Sequence, residues 1–387
     1  MKNHDVHIFV FIDALGWEII RSRPFLNDLL PWRYPVEMQF GYSSTALPTI
    51  LTGVPPTVHK HLSFYYYAPE HSPFRMLRRM KFALRPGGVF NSRRMRHVLS
   101  RLFARFYDFT GYFEMSAMPF ERLPYFDYVE KTDIFAPGGL APVRNLADEL
   151  QEWQIPAYIS DWRCSESDNF AALRRQLGVG RIRFAFMYTA MLDRLLHDGP
   201  ASRPGINRLI DWYEAEIRQV VAAAQDKYRR YTLHVMSDHG MTPLVGSCDV
   251  RSMAEAPGLR FGSDFAAVYD STMARFWFFN PVAREQIMAR LCCIRHAHVL
   301  TEEEKRRYRI DFPDHMYGEE ILLLDPGWLV APSDMAKGKF YGMHGYAPEH
   351  AGSMAGFLAS EPVMPPPVWV GDYHTLMRQK MECIVNE

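Results

Sequence analysis

Six Asp and His residues in this sequence lie where they could hold divalent metal ions. They are, in chain order, Asp13, Asp193, His197, Asp238, His239 and His344. Carboxylate and imidazole groups are the usual ligands of borderline metals such as zinc. Asp193 and His197 are four residues apart, so on a helical turn they share one face. Two such ions about 4 Å apart can clamp a transferring phosphoryl group and activate a nucleophile.

Each of these residues also has an ordinary structural interpretation. In the segment SDHGM, Gly240 could supply a turn and Asp238 could cap the next element. Asp13 could cap a helix, and His197 and His344 could be surface or loop residues. Their joint placement at the ends of predicted strands favours a shared site over these separate explanations.

Alternating strands and helices must position these residues. Near-continuous apolar runs predict strands buried on both faces at 6–12, 183–188 and 231–236. Further strands are predicted at 36–40, 157–159, 273–279 and 320–324, and helices at 17–30, 43–51, 143–153 and 205–228. This alternation predicts an α/β fold with a doubly wound, mostly parallel sheet and helices on both faces. Ligands bind such sheets outside the carboxyl ends of the strands, where the six residues collect.

Five motifs, in this order, resemble the alkaline phosphatase superfamily and, within it, the type I phosphodiesterase/nucleotide pyrophosphatase family. The motifs are FIDALGW, LTGVPPTVHKH, LDRLLHDGP, SDHGM and MHGY. The resemblance covers about 5–60 and 183–358 and leaves the middle of the chain unmatched. It implies a hydrolase of phosphoric ester or diphosphate bonds that forms a covalent phospho-enzyme. It also implies two divalent metal ions, with Zn²⁺ expected and Mn²⁺ as the alternative.

The resemblance assigns the six residues to two ions. One ion would be held by Asp193, His197 and His344. The other would be held by Asp13, Asp238 and His239, together with the oxygen of the nucleophile. On this interpretation the SDHGM segment supplies two adjacent ligands to one ion.

Three consecutive hydroxyl residues, Ser43, Ser44 and Thr45, are candidates for the nucleophile. In the superfamily the nucleophile tends to lie ten residues before the Gly of a trailing Thr-Gly, and counting back from Gly53 gives Ser43. Ser43 also falls at the predicted start of a helix, where free backbone N–H groups can hold a phosphate. Thr45 is the second choice, or a contact to the phosphoryl oxygens, and Ser44 is the plainest helix cap.

Two departures from the family pattern concern the substrate. The usual Thr nucleophile with a nearby Asn is replaced by Ser-Ser-Thr-Ala-Leu-Pro, and the usual Asp-x-x-Gly-His by Asp-Arg-Leu-Leu-His. A preference for diesters over monoesters therefore does not follow from the resemblance. A sulfatase is disfavoured, because residues 43–47 lack the Pro or Ala and the Arg that formylglycine conversion requires.

A basic, aromatic-rich insertion at 61–139 is predicted to form a cap on a catalytic core made of 1–60 and 140–387. No acidic residue occurs between Glu70 and Asp108. The insertion could be a solvated helix pair over the site, or a lid that binds an anionic leaving group through arginines and aromatic rings. A third interpretation is a basic amphipathic helix at 93–106 that lies on an anionic membrane. The substrate contacts of a lid would be Arg93, Arg94, Arg96, Tyr65 and Tyr66.

Composition narrows the class of protein. The 387 residues are 48% hydrophobic and carry 44 basic and 44 acidic side chains, which does not favour a nucleic-acid polymer as partner. The N-terminal apolar run contains Asp13 and has no small-residue cleavage site, so it predicts a strand and not a signal peptide. The five cysteines lack CxxC spacing, which predicts free thiols and a cytoplasmic protein. Any contact with a membrane is expected to be peripheral.

The expected function is that of a nucleotide pyrophosphatase/phosphodiesterase acting on a phosphorylated small molecule such as a nucleotide or nucleotide-sugar. A second hypothesis is a phosphomonoesterase or phosphoryl transferase acting on a lipid-linked or sugar phosphate at a membrane surface. A third, more remote hypothesis is a metal-binding scaffold without activity.

Overall fold

A computed structural model describes residues 4–80, 98, 117–200, 203–255, 257–335 and 338–387 of the chain. The interior of the predicted cap therefore lies outside the described residues. The same holds for Arg93, Arg94 and Arg96, and for the predicted amphipathic helix apart from position 98. The boundaries of the cap at 61 and 139 stay a prediction.

The strands of the described chain belong to one large sheet and several smaller ones. They are β1 (Asp5–Ile12), β2 (Trp32–Val36), β3 (Tyr65–Tyr67), β4 (Phe126–Tyr128), β5 (Ala157–Ile159), β6 (Phe184–Thr189), β7 (Arg230–Met236), β8 (Thr242–Pro243), β9 (Gly246–Cys248), β10 (Phe265–Tyr269), β11 (Met273–Phe278), β12 (Ala297–Val299), β13 (Glu320–Leu324), β14 (Trp328–Val330), β15 (Gly342–Met343) and β16 (Ala355–Ala359).

The helices range from one turn to more than six turns. They are α1 (Trp17–Arg21), α2 (Ser43–Thr52), α3 (Pro56–His59), α4 (Leu146–Glu152), α5 (Glu166–Val179), α6 (Met191–Asp198), α7 (Pro204–Lys227), α8 (Val250–Ala254), α9 (Pro281–Leu291), α10 (Glu302–Arg307) and α11 (Asp372–Val385). Among the residues described, none of these helices is both long and apolar enough to cross a membrane.

The large sheet has the strand order β2-β16-β7-β1-β6-β5. β16 is antiparallel to both of its neighbours, and the pairs β7–β1, β1–β6 and β6–β5 are parallel. The prediction of a mostly parallel sheet is therefore confirmed. The register places Phe11 beside Met236 and Ile12 beside Thr189, so three central strands end at the same edge.

Helices cover both faces of this sheet. Every residue of β1 is therefore buried, although its side chains alternate between the two faces. Val6, Ile8 and Val10 pack with apolar residues of α1, α5, α6 and α7. Phe9 and Phe11 point the other way, into a core shared with α2, α4 and α11. This is the doubly wound arrangement predicted from the sequence.

A second sheet, β10-β11-β13-β12, is entirely antiparallel. It contains the strands predicted at 273–279 and 320–324, which therefore do not extend the large sheet. The antiparallel pair of β3 and β4, near the two ends of the predicted cap, packs against this second sheet in one aromatic core. A fully buried ion pair between Arg275 and Asp270 (2.6 Å) lies inside this part of the protein. Removing one partner would leave an uncompensated charge, at a cost of about 3–5 kcal/mol.

Two predicted elements differ from the structure. The helix predicted over 17–30 ends at Arg21, because Pro24 lacks an N–H and its ring cannot follow a helical residue without a clash. The strand predicted at 36–40 is β2, which ends at Val36. β2 contains Pro35, which is tolerated because β2 is an edge strand.

A buried histidine lies in the middle of the large sheet. His234 on β7 is fully buried and stacks between Phe9 (ring centroids 4.6 Å apart) and Phe357 (5.9 Å). Neither of its ring nitrogens has a hydrogen-bond partner in the described part of the chain. Burial lowers the pKa of His234 well below its usual value, so the ring is neutral in the folded protein.

We predict that His234→Phe makes the protein less sensitive to acid. A histidine whose pKa is lower folded than unfolded contributes no penalty above about pH 6.5, and destabilises the fold progressively as the pH falls below that value. One such group changes the free energy of unfolding by about 1.4 kcal/mol per pH unit. Phe keeps the stacking and removes this loss.

Urea unfolding at pH 7.5 and 5.5, with a chelator present throughout, measures the difference. The variant should lose about 1.4 kcal/mol less than the parent between the two pH values. Some acid sensitivity should remain, because burial also lowers the pKa of His7 to about 4. Equal losses in the two proteins would contradict the assignment of the buried neutral ring.

Candidate metal centre and active site

The end of β1 positions the first candidate ligand. The backbone N–H of Asp13 donates to the carbonyl oxygen of Thr189 at the end of β6 (3.1 Å). The next residue, Ala14, has a φ of 61°, a left-handed conformation that is uncommon for a residue with a side chain. Its N–H donates to Oδ1 of Asp238 (3.3 Å), which follows β7. The ends of three neighbouring strands are therefore tied together by hydrogen bonds.

The helix α6 presents the next two candidates on one face, as their spacing predicts. Oδ1 of Asp193 lies 3.3 Å from Nε2 of His197. The start of α6 is held by Glu166, whose Oε1 accepts hydrogen bonds from the N–H groups of Ala190 and Met191, both at 2.7 Å. Sequence reasoning missed Glu166, because nothing in its local pattern shows that it reaches another helix.

The glycine of SDHGM is explained by close backbone packing and not by a turn with positive φ. A Cβ on Gly240 would lie 2.4 Å from the carbonyl oxygen of Gly352, and one on Gly16 would lie 2.4 Å from the Cα of Gly240. Asp238 does not cap a helix, since the short strand β8 follows it. The SDHGM segment therefore packs closely against the backbone at Gly16 and at Gly352.

The first residue of α2 places its hydroxyl beside these groups. Oγ of Ser43 lies 3.1 Å from Nε2 of His239. The hydroxyl of Thr45 is engaged elsewhere, because it donates to the carbonyl oxygen of Leu62 and accepts from the N–H of Tyr42 (3.3 Å). Thr45 thus performs the capping that the sequence suggested for Ser44. Of these two hydroxyls, that of Ser43 lies beside the cluster, and its role as nucleophile stays a prediction.

Two of the three imidazoles are oriented by backbone carbonyls. Nδ1 of His197 lies 2.8 Å from the oxygen of Gly342, and Nδ1 of His239 lies 2.9 Å from the oxygen of Gly240. A carbonyl oxygen can only accept, so Nδ1 carries the proton and Nε2 presents a lone pair. This is the arrangement common among metal-binding histidines. The third imidazole, His344, stacks on His239 with ring centroids 3.7 Å apart.

The structure brings all six predicted residues to one place. Ligand atoms of Asp193, His197 and His344 lie within 4.8 Å of one another, as do those of Asp13, Asp193 and His239. Asp193 belongs to both groups, whereas the sequence assigned it to one ion. Asp238 is adjacent, with Oδ2 3.2 Å from Nε2 of His239. The division of the ligands between two ions stays a prediction.

Buried negative charge dominates the electrostatics. Burial raises the pKa of Asp13 well above its usual value, and the charges of Asp238 and Asp193 raise it further. The pKa of Asp238 is also raised, mainly by burial. No Lys or Arg among the described residues forms an ion pair with these three carboxylates. Either protons or bound cations must therefore neutralise the cluster.

Unpartnered polar atoms fit bound cations better than protons. Asp13 Oδ1, Asp193 Oδ1 and Asp238 Oδ2 are buried and have no hydrogen-bond partner within the described ranges. Three such carboxylate oxygens in one small volume are unusual, because buried polar groups are nearly always paired. Burial also lowers the pKa of His344, which keeps the ring neutral and able to bind a metal. Oxygen and nitrogen donors of this kind suit zinc or manganese.

Other predicted site residues lie elsewhere. Tyr65 is fully buried in the core shared with the second sheet, which argues against direct contact with a substrate. The hydroxyl of Tyr66 donates to Asp127 (2.9 Å). Nε2 of the nearby His59 lies 2.9 Å from the hydroxyl of Thr49, so this nitrogen is engaged outside the Asp/His cluster.

Solved structures of other proteins share the fold of this chain. Human ectonucleotide pyrophosphatase/phosphodiesterase 5 superposes with a TM-score of 0.66 at 13% identity, over 99% of this chain and 95% of that one. The murine protein of the same name, an inactive variant in complex with AMP, gives 0.66 at 14% identity over 98% and 95%. No curated protein matched the chain by sequence.

The α/β architecture is alkaline phosphatase-like, with a mostly parallel sheet. The Asp/His cluster lies at the ends of its strands, beside Ser43 at the start of α2. The profile of the family described as type I phosphodiesterase/nucleotide pyrophosphatase matches residues 8–347. The chain belongs to that family, whose members hydrolyse phosphodiester and pyrophosphate bonds.

We predict that His239→Ala removes one metal ion. The substitution deletes one donor of the Asp13, Asp193 and His239 group, whereas all three donors of the Asp193, His197 and His344 group are kept. Elemental analysis after dialysis should find about two equivalents of metal in the parent and about one in the variant. His61→Ala, a nearby histidine outside the cluster, should keep both. Equal metal content in the parent and His239→Ala would count against this site.

Proposed function

We propose that the protein is a metal-dependent phosphoester hydrolase of the nucleotide pyrophosphatase/phosphodiesterase type, with Ser43 as nucleophile. The observation that carries the proposal is the position of Ser43. Its hydroxyl lies at the N-terminus of a buried helix and 3.1 Å from His239, inside the cluster of Asp and His residues.

Metal ions fit the donor set of this chain. Asp193, His197 and His344 would hold one ion, and Asp13, Asp238 and His239 the other. Two divalent ions, Zn²⁺ or alternatively Mn²⁺, would supply positive charge that stabilises the oxygens of a transferring phosphoryl group. Glu166 and the backbone carbonyls of Gly240 and Gly342 contribute by fixing the orientation of the ligands.

Ser43 would carry out a double displacement. Its hydroxyl releases a proton, Oγ forms a bond to phosphorus, and the bond from phosphorus to the leaving oxygen breaks as that oxygen takes up a proton. Water then attacks the phosphorus, the Oγ–P bond breaks, and a proton given up by the water restores the Ser43 hydroxyl. The free N–H groups at the start of α2 favour the negative charge that remains on the phosphoryl oxygens.

The proposed substrate is a phosphorylated small molecule such as a nucleotide or a nucleotide-sugar. The AMP bound to the murine relative supports a nucleotide, as does membership of the family. The balanced charge of the chain supports a small molecule over a nucleic-acid polymer.

We predict that Ser43→Ala lowers kcat by roughly a thousandfold or more, because the nucleophile itself is lost. Metal content and folding should change little. Ser44→Ala is the matched control, since it removes a neighbouring buried hydroxyl and should keep most activity. The assay uses a chromogenic phosphodiester and the corresponding monoester.

Mass spectrometry of protein quenched during turnover identifies the modified residue. A phosphoryl or phosphodiester adduct on Ser43 is expected. An adduct on Ser44 or Thr45 would reject Ser43 as nucleophile. A parent protein that binds metal but hydrolyses neither ester nor nucleotides would reject the enzyme and leave the scaffold hypothesis.

A further inference from the structure

His344 is held differently from the other two histidines of the cluster. His197 and His239 each have a carbonyl oxygen next to Nδ1, whereas Nδ1 of His344 has no hydrogen-bond partner in the part of the chain that the structure describes. Metal-binding histidines usually depend on such a partner for their orientation. The position of His344 must therefore be set through its backbone and its packing.

A chain of hydrogen bonds through Thr272 fixes the backbone beside His344. Thr272 lies in the turn between β10 and β11, and its hydroxyl donates to the carbonyl oxygen of Gly345 (2.7 Å). The hydroxyl of Tyr42 lies 3.1 Å from the same oxygen of Thr272. Because Thr272 has used its only hydroxyl hydrogen, Tyr42 is the donor in that bond. Tyr42 in turn accepts from the N–H of Thr272 (3.1 Å).

The two ends of this series of hydrogen bonds lie next to Ser43 and His344. Tyr42 immediately precedes Ser43, and the edge of its ring meets the ring of His344, with centroids 5.9 Å apart and planes at 74°. Gly345 has a φ of 91°, and a Cβ there would lie 2.8 Å from the Tyr42 ring and 3.0 Å from the Thr272 hydroxyl. Only glycine allows this close approach. This series of hydrogen bonds thus links the segment of Ser43 to the segment of His344.

The turn that carries Thr272 is itself firmly anchored. Asp270 pairs with Arg275 on β11, and both side chains are fully buried. Asp270 also accepts from the hydroxyl of Ser63 (2.9 Å), in the segment that follows the nucleophile helix. Arg275 donates to the carbonyl oxygen of Tyr65 on β3 (2.8 Å). The second sheet therefore offers a rigid support close to the metal cluster.

We propose that Thr272 and Tyr42 are positioning residues, which hold His344 at the distance from Ser43 that the active site requires. This role makes the second sheet part of the catalytic apparatus, although its described residues supply none of the candidate metal ligands. The inference rests on the proposed function, and its test includes metal binding, which can be measured without any activity.

Thr272→Val keeps the size of the side chain and removes both hydroxyl bonds. We expect zinc affinity at the Asp193, His197 and His344 group to fall about tenfold, the lower end of the range for residues that support metal ligands. With metal in excess, kcat should fall and KM should change little, because a positioning residue acts through His344 and not through substrate binding. Tyr42→Phe should change the same quantities in the same direction.

Two matched variants separate positioning from general stability. Thr272→Ser retains the hydroxyl and should restore zinc affinity and kcat to near the parent values. Thr232→Val removes another buried threonine hydroxyl, bonded to His7 (2.8 Å) far from the cluster, so its loss should affect stability alone. Zinc affinity is measured by competition with a chromogenic chelator, and folding by thermal unfolding.

The outcomes distinguish this inference from the proposed function. Unchanged zinc affinity and unchanged kcat in Thr272→Val would overturn the positioning role while leaving the hydrolase intact. Equal losses in Thr272→Ser and Thr272→Val would also overturn it, because the hydroxyl would then be irrelevant. A tenfold loss of zinc affinity in a protein that hydrolyses no ester would support the positioning role and reject the enzyme.

Discussion

The mutual repulsion of three carboxylates in a buried space is the constraint on which the site depends. Asp13, Asp193 and Asp238 converge at one edge of the large sheet, and burial together with neighbouring negative charge raises the pKa of Asp13 and of Asp238. A fold without a counter-charge would avoid such a cluster. Its presence, beside three imidazoles and without a Lys or Arg partner in the described residues, is best explained by divalent cations.

The rest of the molecule can be understood as the support for this cluster. Parallel strands bring Asp13 and Asp238 to the same edge, and close contacts between Gly16, Gly240 and Gly352 pack the SDHGM segment into place. Hydrogen bonds that Glu166 accepts from backbone N–H groups hold the helix that carries Asp193 and His197. The second sheet would act on the remaining ligand through Thr272. The residues of the cluster therefore depend on several separate parts of the fold.

The main sheet and the residues that meet in the Asp/His cluster could be predicted because their signals are local. The apolar run before Asp13 and the four-residue spacing of Asp193 and His197 are visible in the sequence. Glu166, Tyr42 and Thr272 could not be found in this way, because their partners are distant along the chain and no pattern marks them. The helix predicted over 17–30 was wrong beyond Arg21, because Pro24 cannot continue a helix.

The interpretation of Gly240 shows a similar limit. The sequence suggested a turn, but the structure gives this glycine a negative or extended φ and a crowded Cα. Crowding by a segment more than a hundred residues away leaves no trace in the local sequence. Likewise, Tyr65 is an aromatic residue of the kind that can contact a substrate, and only its tertiary packing shows that it belongs to a core.

The most direct test of the central claim is anomalous X-ray diffraction from crystals of the zinc-loaded protein. The account predicts two zinc peaks about 4 Å apart. One should lie among Asp193, His197 and His344, and the other among Asp13, Asp238 and His239, within reach of the Ser43 oxygen. A single peak, or peaks bound by other residues, would contradict it.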